Sequence, residues 1–187
     1  MMVGAILTQN TAWTNVEKAL IHFGENLTPE YVLVTPAEDL AAIIRSSGYH
    51  NQKALRLKAL TEWFQLYDFQ IEKVRAVNGD ILRDQLLSIK GIGGETADSI
   101  LTYALNKPYC VIDAYTRRIL HRLGYDVPRR YEVLRIAVEE RIPKDVSLYN
   151  EFHALIVEHA KRHCRKKPLC ENCPLLLQCN RRMEENV

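Results

Sequence analysis

The stretch that most restricts how this chain can fold is Lys90-Gly91-Ile92-Gly93-Gly94, set between apolar helical patterns within residues 86–118. Three glycines in four residues let the backbone turn tightly, with φ > 0 where needed and no Cβ to block a close approach. Residues 95–106 then read as a helix whose free N–H groups point back at that turn. Amides at a helix N-terminus beside a Gly-rich turn form an anion site, and on a nucleic acid that anion is a backbone phosphate. A plain helix-turn-helix corner of an all-α domain fits the same residues. The pattern alone leaves both readings open.

The rest of the chain is helical in period. Val3, Ile6, Leu7, Val16, Ala19, Leu20 and Phe23 recur at helical spacing, which predicts one helix over 1–23 interrupted by the amides of Gln9 and Asn10. Further helices are expected at 37–46, from about 49 through Phe64, at 69–77, at 80–88, from 114 to Leu123 with a stop at Gly124, at 130–141 and at 147–163. No stretch alternates as a strand would, so the fold class is all-α, in two helical domains over 1–107 and 108–187. No apolar run reaches the ~20 residues of a membrane span, and no basic leader precedes MMVGAILTQNT. The expectation is therefore a cytoplasmic protein with no membrane partner, a monomer by default.

The net charge of +2 conceals an asymmetry. Residues 161–182 hold seven Lys or Arg and a single acid, Glu171, leaving 18 basic and 22 acidic side chains on the other 165 residues. A basic tail segment on a mildly acidic body suits a polyanion. The same segment holds Cys164, Cys170, Cys173 and Cys179 in a C-x5-C-x2-C-x5-C array. Four thiolates within sixteen residues can wrap one centre, and zinc and a [4Fe–4S] cluster both accept such a set. Cys110, between apolar neighbours, reads as a buried apolar residue.

L-x-x-I-x-G-I-G-x-x-T-A, followed about twenty residues on by V-x-D-x-x-x-x-R, resembles the helix-hairpin-helix and Gly/Pro-Asp signature of the endonuclease III family of DNA glycosylases. The cysteine array, with Pro168 and Pro174 around its central pair, resembles that family's C-terminal iron–sulfur loop, although the first gap is five residues where six is usual. The resemblance implies a hairpin over 86–106 that holds duplex DNA at Gly91, Gly93 and Gly94. It implies a [4Fe–4S] cluster on the four cysteines and phosphate contacts at Arg165, Lys166 and Lys167. It also implies a further helix ahead of Met1.

In the same resemblance Asp113 takes the place of the catalytic aspartate, a role compatible with capping the helix that follows it. Bifunctional members carry a Schiff-base lysine where this chain has Glu95, and a carboxylate cannot form an imine. Nothing in the sequence marks Lys53 or Lys90 as a buried amine of lowered pKa. Glu95, with the segments 7–11 and 47–53, is similar to the 3-methyladenine branch, which removes alkylated, cationic purines. The implied activity is a monofunctional glycosylase in base excision repair; a bifunctional glycosylase and abasic-site lyase, or a non-catalytic DNA-binding relative, are the alternatives. Trp13 falls where that branch stacks an aromatic on the flipped base, though a core aromatic fits as well. Gln9 or Asn10 corresponds to the amide that fills the gap left by the extruded nucleotide.

Overall fold

The computed structural model describes residues 1–181, and all of its regular elements are helical. Two compact units meet in sequence at Lys107 and Pro108.

The first unit begins with α1 (Met2–Leu7) and α2 (Trp13–Phe23), not the single helix expected over 1–23. The break has a local cause. Thr8 turns its hydroxyl back to the Gly4 carbonyl, and Asn10 takes a φ of +53° that no α-helix contains. Ala12 is then extended at the start of α2. Next comes α3 (Pro29–Val34), where Thr28 accepts from the Tyr31 N–H and Pro29 opens the first turn. After α4 (Ala37–Ile43), the long α5 (His50–Gln65) packs against α1, α3 and α4 through Ala54, Leu57 and Leu60. Lys58 closes the far end of α3 by donating to the Leu33 and Thr35 carbonyls at 2.8 and 2.6 Å.

Beyond α6 (Ile71–Ala76), the expected hairpin is present as α7 (Gly79–Ser88) and α8 (Gly94–Tyr103). Asn78 caps α7, and Leu82, Leu86, Ile100 and Leu101 are buried. Between the two helices lies an ion pair. Arg83 donates through Nε to Asp98 Oδ1 at 2.7 Å and through Nη2 to Oδ2 at 3.3 Å, with the Asp98 side chain wholly buried.

The second unit comprises α9 (Ala114–Leu123), α10 (Tyr131–Glu139) and α11 (Val146–Arg162). Ile119, Ala160 and Cys164 join α9 to α11, while Cys110, Ile112, Leu134 and Tyr149 form a second apolar cluster. Cys110 is buried in it as expected. Gly124 ends α9 at a φ of +107°, and a Cβ there would lie 2.0 Å from Asn180 Nδ2. Among the described residues, no helix is long and apolar enough to cross a membrane.

Candidate active site

Of the three hairpin glycines, only Gly91 needs a left-handed backbone, at φ +91°. Gly93 is the N-cap of α8 with ordinary φ, and an added Cβ there would meet open space. Its contribution is to leave the first-turn N–H groups of α8 without a side-chain cap, open to an anion. Gly91 is crowded instead: a Cβ would fall 2.2 Å from Arg56 Nε. Gly91→Ala is therefore expected to displace Arg56, strain the turn by about 1 kcal/mol or more, and weaken binding to undamaged duplex DNA. A titration by fluorescence anisotropy checks it, and wild-type affinity would contradict it.

Arg56 is held there by Gln9. Its Nη1 donates to Gln9 Oε1, while Gln9 Nε2 donates to the Gly91 carbonyl at 3.1 Å and to Thr96 Oγ1 at 2.9 Å. Both amide hydrogens and the amide oxygen of Gln9 are thus engaged, pinning the loop Thr8–Ala12 to the hairpin turn. Asn10, its neighbour, is exposed. The structure separates two residues that the sequence left equivalent: Gln9 is a staple and Asn10 a free amide. Trp13 is 48 % exposed at the start of α2, with its ring rim over Gly4, and does not belong to the core. Glu95 is exposed in the first turn of α8.

Lys53 corrects the sequence reading. It is wholly buried, and its Nζ donates to the Leu7 carbonyl at 2.8 Å and to the Ser47 carbonyl at 2.6 Å. Burial, aided by the nearby Arg56 charge, brings its pKa from 10.5 down to about 8. Between those values the unfolded chain binds more protons than the folded one, so stability gains as pH rises through that interval. Wild type should therefore gain in urea midpoint over Lys53→Met as pH is raised from below 8 toward 10. Parallel midpoints across the interval would contradict this.

In the second unit, Asp113 is the N-cap of α9. Its Oδ1 accepts from the Thr116 N–H at 2.7 Å and the Thr116 hydroxyl at 2.8 Å. His153 Nε2, from α11, stands 3.5 Å from Oδ2. Burial alone would push the Asp113 carboxyl up, but His153 and Thr116 outweigh it and hold the group below the usual aspartate range. The result is an ionised carboxylate, 14 % exposed, with one oxygen fully engaged. His153 carries no sequence signal of its own, since nothing sets it apart from the other polar residues of α11 and its partner is forty positions away.

Cys164, Cys170, Cys173 and Cys179 line a single cavity of about 200 Å³, walled by apolar side chains such as Ile119 and Leu123. Among the described residues, no three Cys, His, Asp or Glu side chains gather on a point as a single bound ion requires. Arg122, nearly buried, donates to Cys164 Sγ at 3.4 Å and to the Arg165 and Lys166 carbonyls at 2.6 and 3.1 Å. Arg118 Nε donates to the Cys164 carbonyl at 2.8 Å. The backbone of the first loop is thereby fixed, while the side chains of Arg165, Lys166 and Lys167 remain exposed.

Residues 3–144 match the model of the HhH-GPD superfamily, the base excision DNA repair proteins. This chain belongs to that superfamily. A protein of Methanocaldococcus jannaschii, provisionally named a DNA repair glycosylase, is 46 % identical over 184 residues, covering 96 % of this chain and 84 % of its own. Among solved structures, the 3-methyladenine DNA glycosylase of H. pylori bound to 1,N6-ethenoadenine is 32 % identical, with a TM-score of 0.75 over 86 % of this chain and 83 % of that one. A non-covalent endonuclease III–DNA complex superposes with a TM-score of 0.81 at 25 % identity, over 96 % and 81 % of the two chains. The HhH-GPD protein described above is thus a DNA-binding base excision repair glycosylase, all-α as the sequence implied.

Proposed function

We propose that this glycosylase releases alkylated purines by hydrolysis alone and leaves the abasic strand intact. The observation that carries this reading is Glu95, an exposed carboxylate in the first turn of the hairpin helix where a lyase needs an amine. Lys53 does not substitute, since its amine is sealed from solvent and committed to two backbone carbonyls. The 32 % likeness to the H. pylori 3-methyladenine enzyme supports an alkylpurine substrate, and the half-exposed Trp13 offers a π-face to a cationic ring.

Cleaving the bond between base and sugar builds positive charge at C1′. Asp113, fixed and ionised, stabilises that charge through Oδ2 and directs the attacking water. Asn10 occupies the space left by the extruded nucleotide, and the α8 amides at Gly93 and Gly94 take a backbone phosphate.

A [4Fe–4S] cluster suits the cysteine cavity. Four soft thiols face it, apolar walls surround it, and N–H donors already point at sulfur from Arg122 and from the Arg181 backbone. When bound, the cluster cross-links the four cysteines and holds the loop that presents Arg165, Lys166 and Lys167 to phosphates. Anaerobically prepared protein is expected to be brown, with thiolate-to-iron absorption, and stoichiometric zinc would overturn this assignment.

Methylated duplex DNA tests the activity, scoring free base apart from strand breaks with borohydride trapping in parallel. Free 3-methyladenine with intact strands and no trapped adduct is expected. Strand breaks with a trapped adduct would mean that another amine does lyase chemistry.

A further inference from the structure

We propose that His153 is a positioning residue for the reaction: it fixes the Oδ2 face of Asp113 and, among the described residues, supplies the positive charge that keeps this carboxylate ionised beside bound DNA. The inference rests on the catalytic reading of Asp113 given above.

Asp113 meets two kinds of neighbour. From its own helix, Thr116 offers two neutral donors, both to Oδ1. From α11, His153 faces Oδ2 at 3.5 Å, and it is the charged or titratable group acting on Asp113. Neutral donors align a carboxylate but do not offset the field of a polyanion. Bound DNA brings phosphate charge, which favours protonating a nearby carboxylate. Protonation would remove the charge that stabilises the sugar cation. Both side chains are largely buried, at 19 % exposure for His153 and 14 % for Asp113, so solvent screens the pair only weakly.

A separation of 3.5 Å is ion-pair range, longer than a good hydrogen bond. His153 therefore acts through Asp113 and does not itself touch the sugar or the base. The proton lost by the attacking water goes to Asp113, and His153 takes no part in that transfer.

The sign of the pH effect follows. Base release needs the ionised carboxylate, so the rate falls as pH drops through the Asp113 titration. Removing a positive neighbour raises that titration, and the acid limb of the pH–rate profile moves to higher pH.

The experiment measures single-turnover release of 3-methyladenine from methylated duplex DNA between about pH 5 and about pH 8. Full-length wild type, His153→Ala, His153→Gln and Asp113→Asn are compared, with DNA affinity and thermal melting recorded for each. His153→Ala is expected to lose on the order of tenfold in rate at the acid end, with its limb displaced upward and its DNA affinity kept. His153→Gln preserves side-chain bulk and a donor without the charge, so its acid limb should match that of His153→Ala even where its melting stays closer to wild type. Acid limbs that coincide with wild type in both variants, alongside an inactive Asp113→Asn, would overturn the role of His153 alone. An Asp113→Asn protein as active as wild type would instead remove the catalytic reading and this inference with it.

Discussion

Asparagine at position 113 is expected to give a folded protein that binds DNA normally and releases base about 10²–10⁴-fold more slowly. Asparagine is as good an N-cap as aspartate, so the Thr116 N–H keeps its acceptor and α9 keeps its start. What the proposed reaction loses is the negative charge that would face the sugar and the acceptor for the water's proton. The substitution therefore separates the two functions of one side chain, the cap and the carboxylate. Single-turnover base release together with a DNA titration checks it. Wild-type release would end the catalytic reading, whereas a large fall in melting temperature would mean that the cap had been lost as well.

Asp98→Ala carries the largest expected cost in stability, about 3–5 kcal/mol. Asp98 is wholly buried and takes two hydrogen bonds from Arg83, whose side chain is itself only 11 % exposed. Removing the carboxylate leaves a guanidinium desolvated between α7 and α8. Against a typical folding free energy of ~5–15 kcal/mol, such a loss is a large share of the total. The double replacement Arg83→Met with Asp98→Leu should recover most of it, because an apolar pair of similar volume avoids a desolvated charge. Urea denaturation of the two variants is the check. A single variant as stable as wild type would show that the pair contributes nothing to the hairpin.

Much of this architecture was legible before any coordinates. The 3.6-residue period of Leu40, Ile43, Leu57 and Leu60 marks helices, and Gly124 marks an end, because these signals act within a turn of the residue that carries them. Thr28-Pro29 reads the same way once α3 is seen, as a hydroxyl cap and a proline at the first helical position. The break at Thr8–Ala12 was not legible. Gln9 and Asn10 look like polar positions on a helix, and the partners that hold Gln9 elsewhere, Gly91 and Thr96, are more than eighty residues away. Lys53 was opaque for the same reason. In the run Tyr49–Lys53 it reads as a solvated charge, and only folding brings the Leu7 and Ser47 carbonyls to its amine. His153 belongs with these, since one residue of a pair tells nothing until α9 and α11 pack.

The loop Thr8–Ala12 also bears on how such a protein can change over generations. Gln9 is tied to three groups on the hairpin and α5, so drift at that codon disturbs the turn as a whole. Asn10 has an exposed side chain, but its backbone sits at φ +53°. That geometry admits glycine, asparagine and aspartate readily, and charges other residues about 1–2 kcal/mol. The side chain at position 10 is thus drawn from a short alphabet, written by backbone strain before selection for any lesion begins. Saturation mutagenesis at codon 10 would return that alphabet among folded variants.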